Sequence, residues 1–276
     1  MKTSNNPPIA LAVAGLDPSG GAGLAADLSA FAARGVWGCA VATAATVQTT
    51  AGVTRYALLD PSLVREQIER LAHDMPPHAI KLGMLGSAQM AHGVAAALDH
   101  LADALLVIDP VLRAWDGTEL YAAAARDVLQ NELLPRATLI APNAPEAAVL
   151  CGVEVHDLDG ARRAAHVLLQ RGARAVLIKG GHLNCDANTV VDLLVGPAGE
   201  IKFERPRIAG ADPHGTGCLL TSLIAAGLAR GEDLPQAIGA ATGLLDAARL
   251  RPLKLGAGKP LLSLLPLRDA APDGDP

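Results

Sequence analysis

The run IALAVAGLDPSGGAGLAADLSAFAAR, from Ile9 to Arg34, changes its hydrophobic period part-way along. Ile9–Ala14 has no polar side chain and the length of a strand buried on both faces, whereas from Ala22 to Arg34 the apolar positions recur at helical spacing. Between them, Gly15-Leu-Asp-Pro-Ser-Gly-Gly-Ala-Gly23 leads from a strand end into a helix start. The same unit recurs down the chain. Short apolar runs at Cys39–Ala44, Ala79–Leu82, Leu105–Ile108, Leu139–Ala141, Ala175–Ile178, Val190–Val195 and Ile201–Phe203 read as strands. Ser62–Asp74, Ala88–Leu101, Ala122–Glu132, Pro145–Leu150, Gly160–Arg171, Gly217–Arg230 and Leu234–Leu250 read as helices. That alternation predicts an α/β fold, a mostly parallel sheet with helices on both faces. Ligands of such sheets bind beyond the carboxyl ends of the strands, so the residues just after each strand carry the functional information.

Composition narrows the partners. With 28 acidic and 23 basic residues the formal net charge is −5, and the Lys and Arg residues are scattered, which argues against binding a nucleic-acid backbone. Two Phe, two Tyr and two Trp leave little surface for stacking bases. Cys39, Cys151, Cys185 and Cys218 lie far apart without zinc-type spacing, the pattern of a reducing, cytoplasmic setting. Pro7-Pro8 and Asp17 flank the first apolar run in a way that does not suit a signal peptide, and no apolar run reaches the ~18 residues that span a bilayer. Neither nucleic acid nor membrane is an expected partner.

Six strand ends carry candidate chemistry. Gly20, Gly21 and Gly23 let backbone N–H groups approach a ligand or simply make a flexible turn, and they do not match the dinucleotide fingerprint. A P-loop is excluded because Gly258-Lys259 runs into Pro260. Asp27 and Gln48 either hydrogen-bond the edge of a heterocycle or face water. Asp109 and Glu146 either hold a hydrated Mg²⁺ or, for Glu146, complement a helix dipole in its first turn. In Lys179-Gly180-Gly181-His182 the lysine either meets a phosphate chain or snorkels to the surface. Gly215, Thr216 and Gly217 expose N–H groups at a helix start and form an anion pocket. Cys218, in the first turn of that helix, is either a thiol of lowered pKa or a small buried hydrophobe.

Taken in order, AGLDPSGGAGLAADL, GCAVATAATVQTT, KLGML, IDPV, APNAPEA, IKGGH and HGTGC resemble the hydroxymethylpyrimidine and phosphomethylpyrimidine kinases of thiamine biosynthesis, from about Ala10 to Leu250. The resemblance implies a single ribokinase-like domain over residues 9–267, a three-layer α/β/α sandwich that forms homodimers, between a flexible segment 1–8 and a disordered tail 268–276. It implies an aminopyrimidine near Gly15, Asp27, Gln48 and Met84; ATP near Asn143, Lys179 and Gly181; and Mg²⁺ at Asp109 and Glu146. The transferring phosphate falls at Gly215, Thr216 and Gly217, with Cys218 as general base where many members of the superfamily carry aspartate. Asp212 reads as a solvated loop acid. The implied reaction is two phosphoryl transfers from MgATP, to 4-amino-5-hydroxymethyl-2-methylpyrimidine and then to its monophosphate. Alternatives are a pyridoxal kinase, a pyrimidine-binding protein without catalysis, and, from the alternating pattern alone, a nicotinamide-dependent oxidoreductase. Two stretches depart from the family: Leu112-Arg-Ala-Trp-Asp-Gly117 stands where Met-x-Ala-Lys-Ser-Gly is usual, and the closing glycine-rich run is reduced to LGAGKPLLSLLPL.

Overall fold

A computed structural model describes residues 6–183, 187–208 and 213–264. Asp212, Cys185 and the tail 268–276 lie outside the described residues, as does most of segment 1–8.

The described strands form one sheet in the order β3-β2-β1-β4-β5-β6-β7-β8-β9. They are β1 (Ile9–Leu16), β2 (Trp37–Thr49), β3 (Gly52–Leu58), β4 (Ala79–Leu82), β5 (Leu105–Ile108), β6 (Leu139–Ile140), β7 (Val176–Ile178), β8 (Thr189–Gly196) and β9 (Gly199–Pro206). From β2 to β7 the pairing is parallel; β3 at one edge and β8 and β9 at the other are antiparallel additions. The helices are α1 (Gly23–Ala33), α2 (Pro61–Asp74), α3 (Ala88–Ala97), α4 (Ala123–Val128), α5 (Ala144–Cys151), α6 (Leu158–Gln170), α7 (Thr216–Ala229) and α8 (Leu234–Arg249). The arrangement is the expected three-layer α/β/α sandwich, in which helices cover both faces of the sheet.

Strand β1 explains why there are two cores. Side chains alternate across a strand, so Leu11 and Val13 join the apolar cluster beneath α2, α3 and α6, while Ala10, Ala12 and Ala14 join the cluster beneath α1, α7 and α8. The alanine face lets α7 approach closely. Every residue of α7 from Leu219 to Ala229 is buried, so this helix is apolar all round and its start is fixed in place.

Helix starts divide into two kinds. Side chains cap α2 (Asp60), α3 (Ser87), α5 (Asn143), α6 (Asp157) and α8 (Asp233), and α5 and α8 carry full capping boxes with Glu146 and Gln236. Helices α1, α4 and α7 begin at Ala22, Ala122 and Gly215 with no side-chain cap, and the starts of α1 and α7 line the same cavity. At α7 the first N–H groups are left to a ligand, whereas at α1 the Ala22 N–H goes to Asp17 and the Gly23 N–H to Cys218.

The expected strands all form, but β3 is an addition. Its residues GVTRYAL are mostly exposed at the sheet edge and have no buried stripe to signal them. The expected helix at Ala122–Glu132 is shorter: α4 ends at Val128 and passes through a wide π turn, Leu129–Leu133, into the tight turn at Leu134-Pro-Arg136. Among the described residues no helix is long and apolar enough to cross a membrane.

Candidate active site

A cavity of about 670 Å³ opens at the carboxyl ends of the parallel strands. Strands β2 and β7, which bound it, are five strand spacings apart, roughly 24 Å at ~4.8 Å each. That span accommodates a small acceptor beside a nucleotide triphosphate.

The start of α7 sits in the middle. Gly215 has φ +81°, and a Cβ there would lie 1.8 Å from the Gly21 carbonyl oxygen, so glycine is required both for the backbone conformation and for the contact between the two glycine loops. The Thr216 hydroxyl donates to the Pro213 carbonyl at 3.0 Å, which leaves the first backbone N–H groups of α7 unfilled by any side chain. They form the expected anion pocket at the positive end of the helix dipole.

Cys218 lies one residue further, partly open to the cavity. Burial pushes its thiol up to about 11 against the pull of Lys81, with smaller help from the Gly23 backbone N–H. This corrects the expectation of a lowered pKa: desolvation outweighs the helix terminus.

Asp27 is also placed differently from expectation. It is fully buried on the inner face of α1, where Lys81 Nζ donates to its two oxygens at 2.9 and 3.0 Å and Ser222 Oγ donates at 2.6 Å. Its carboxylate is committed to these partners and is not part of the cavity wall, so it does not read a heterocycle. Lys81, by contrast, reaches the wall. Burial alone would lower the Lys81 ammonium's pKa, but Asp27, Cys218 and Asp109 together more than offset it, and the side chain stays charged beside Cys218.

On the β5 to β7 side, Lys179 Nζ lies 2.7 Å from Asp109 Oδ1 and 3.7 Å from Glu146 Oε2. A Cβ on Gly217 would stand 3.2 Å from that Nζ, which brings lysine and both acids to the first turn of α7. Thr221 fixes the other Asp109 oxygen at 3.2 Å. Burial raises the Glu146 carboxyl to about 7 despite Lys179. Glu146 also accepts from the Asn143 N–H at 2.8 Å, while Asn143 Oδ1 accepts from the Glu146 N–H at 2.9 Å. The two readings of Glu146 are therefore compatible, because one carboxylate caps α5 and also faces the cavity.

In the Lys179-Gly-Gly loop, the constrained glycine is Gly180. A Cβ there would lie 1.8 Å from the Val191 carbonyl oxygen, and its N–H donates to Asp192 at 2.6 Å. Gly181, expected beside ATP, does not line the cavity; its carbonyl accepts from Arg207 at 3.1 Å.

Gly15, Gln48 and Met84 line the cavity together. Gly15 keeps room for the thioether, since a Cβ there would stand 3.1 Å from Met84 Sδ. Sequence reasoning missed two neighbours, Asp17 and His214. The Asp17 carboxylate organises its loop by accepting from the N–H groups of Ser19 and Ala22 at 2.8 and 3.0 Å, and it faces His214 Nε2 at 2.8 Å. Burial raises its pKa, yet the His214 and Ser19 hydrogen bonds win and hold it lowered. Gln48 then contacts His214 at 2.9 Å and Thr46 at 3.2 Å. Thr46 spends its one hydroxyl proton on the Leu16 carbonyl at 2.9 Å, so the Gln48 amide is best oriented with nitrogen toward Thr46 and oxygen toward His214. The signal for Asp17 was available: an Asp before Pro-Ser-Gly marks a turn whose side chain bonds its own backbone.

The sequence pattern of the family described as phosphomethylpyrimidine kinase matches residues 17–262. The chain belongs to that family. It is 38% identical over 250 residues to the hydroxymethylpyrimidine/phosphomethylpyrimidine kinase of Aquifex aeolicus, covering 91% of this chain and 97% of that one. The crystal structure of phosphomethylpyrimidine kinase from Clostridium difficile superposes with a TM-score of 0.78 at 35% identity, over 87% of this chain and 99% of that one. An ADP complex of Bacillus subtilis pyridoxal kinase gives a TM-score of 0.84 at 27% identity, over 94% of this chain and 97% of that one. Membership of the phosphomethylpyrimidine kinase family supports kinase activity at the family level.

Proposed function

We propose that the protein phosphorylates 4-amino-5-hydroxymethyl-2-methylpyrimidine from MgATP and then phosphorylates the monophosphate to the diphosphate. The observation that carries this reading is the start of α7, which has Cys218 on its acceptor side and Lys179 with Asp109 against Gly217. The relatives' names support the acceptor class, because proteins 38% and 42% identical to this chain are named hydroxymethylpyrimidine/phosphomethylpyrimidine kinases.

Phosphoryl transfer is mainly positioning and charge stabilisation. Gly15, Gln48 and Met84 hold the pyrimidine with its hydroxymethyl group toward Cys218. Cys218 accepts the hydroxyl proton as the oxygen attacks the γ-phosphorus, and the bond to the bridging oxygen breaks to release ADP. The N–H groups of Gly215, Thr216 and Gly217 stabilise the charge on the transferring group, and Lys179 supplies a cation on the donor side. Asn143 faces the nucleotide. In the second transfer the acceptor is already an anion near pH 7, so Cys218 is dispensable.

Asp109 and Glu146 fit Mg²⁺. They are hard oxygen donors on one wall of the cavity, the donor type of an ion that takes one or two carboxylates plus phosphate oxygens and water. When bound, the ion would neutralise charge on the phosphate chain. The test is ADP release by purified protein with MgATP and, separately, the pyrimidine, its monophosphate and pyridoxal. Turnover of the first two supports the proposal. Turnover of pyridoxal alone, or pyrimidine binding without ADP release, would overturn it.

A further inference from the structure

We propose that Trp115 forms one wall of the acceptor-ring site and that Asp116 holds it there by gripping the sheet edge. The inference rests on the acceptor being a flat heterocycle, as proposed above, and adds a specificity-determining residue at the place where this chain departs from its family.

The segment from Pro110 to Tyr121 is a small hairpin. Ala114 N–H donates to the Thr118 carbonyl at 2.8 Å and Leu120 N–H to the Leu112 carbonyl at 3.0 Å, with Arg113 and Glu119 paired between them. Its feet are anchored, because Leu120, Val111 and Ala114 pack with Met84 and Ala44, and Met84 is itself a cavity residue. Its tip is clasped. One Asp116 oxygen accepts from the Thr118 N–H at 2.9 Å and the other accepts from the Val53 N–H at 2.7 Å. Gly52 makes the clasp possible, since a Cβ there would stand 2.7 Å from Asp116 Oδ2. The exposed edge strand β3 thereby gains a role: its first turn is the anchor for the hairpin.

This clasp sets the indole. Trp115 meets His214 edge to face with centroids 6.2 Å apart, and Lys259 Nζ lies 4.7 Å from the ring centroid. Lys259 is fixed in turn, its N–H donating to the Thr50 carbonyl at 2.8 Å. Trp115 still leaves 36% of its surface open and lines the cavity with Gln48 and Met84. A rigid, partly open indole beside a thioether and an amide is a surface for an aromatic heterocycle: the faces stack while Gln48 reads the edge.

The chain has two tryptophans, and Trp37 stands at the opposite end of β2, 57% exposed and off the cavity wall. In a Trp37→Phe background, emission reports Trp115 alone. Saturating aminopyrimidine without ATP is expected to quench it with a midpoint near the KM, and Trp115→Ala to raise KM for the pyrimidine about three- to tenfold, the scale of one aromatic stack. Trp115→Phe restores most of the loss, and KM for MgATP stays within about twofold. Asp116→Ala is expected to raise the pyrimidine KM and alter Trp115 emission, while Asp116→Asn, whose one amide oxygen can accept from Val53 but whose amide nitrogen cannot accept from Thr118, gives a smaller change of the same sign in both. Unchanged emission at saturating pyrimidine, or a wild-type pyrimidine KM in Trp115→Ala, would overturn the wall even if the kinase reading holds. If pyridoxal is the acceptor turned over and Trp115→Ala raises the KM for pyridoxal alone, the wall stands and the pyrimidine reading falls.

Discussion

Cys218 shows how far one residue is legible in sequence. Its position beside Gly215-Thr-Gly217 was enough to place it in the first turn of α7 on the cavity wall, but its ionisation depends on burial and on Lys81, which lies far away in the chain. A thiol raised to about 11 is a thiolate in roughly one molecule in ten thousand at pH 7. If Cys218 removes the hydroxyl proton, phosphorylation of the alcohol should rise about tenfold per pH unit from 7 toward 10, following thiolate formation. Phosphorylation of the monophosphate should stay nearly flat over the same range. Cys218→Ala should cost the first transfer about 10²- to 10⁴-fold in single-turnover rate and the second only a fewfold. Equal losses, or parallel pH profiles, would remove the base assignment. Asp27 marks the other limit: within LAADL it reads as a group that meets a heterocycle edge or faces water, and only the arrival of Lys81 from β4 shows that two buried ionisable groups satisfy each other.

At the scale of elements, the parallel strands and main helices were legible because each carries a buried stripe of the right period. Strand β3 was not, since an edge strand with mostly exposed side chains is specified by its pairing with β2 instead of by its own pattern. The uncapped starts of α1 and α7 were half legible: glycines announced an opening, but not that the two loops lock together. Gly215→Ala tests that contact. The new Cβ meets the Gly21 carbonyl in a backbone conformation that alanine adopts poorly, so the loops must separate. About 1–3 kcal/mol of stability should be lost, read by denaturant midpoint. Both phosphoryl transfers should fall together, because the anion pocket serves each of them. A selective loss of the alcohol step would instead place the defect at Cys218.

Across the whole molecule, the Lys81, Asp27 and Ser222 cluster joins β4, α1 and α7 beneath the site, in the alanine-rich half of the core. Its stabilising and chemical roles can be separated. Lys81→Met strands the Asp27 carboxylate in apolar surroundings and should cost about 3–5 kcal/mol. At about 2–4 °C per kcal/mol for a chain of this size, the melting temperature should fall by roughly 6–20 °C. Adding Asp27→Leu removes the stranded charge, and a well-packed apolar pair in place of a buried ion pair is often neutral, so most of that loss should return. Both variants lack the ammonium that pulls the Cys218 pKa down. The thiol therefore rises further, by less in the double variant because the Asp27 charge that pushes it up is gone as well; less thiolate is present at pH 7, and the rising limb of the alcohol-step profile moves to higher pH. The double variant is then expected to melt near the wild type yet phosphorylate the alcohol poorly at pH 7, with monophosphate phosphorylation affected less. If it regains both stability and the wild-type pH profile, Lys81 serves the fold alone and the proton acceptor is tuned by other groups.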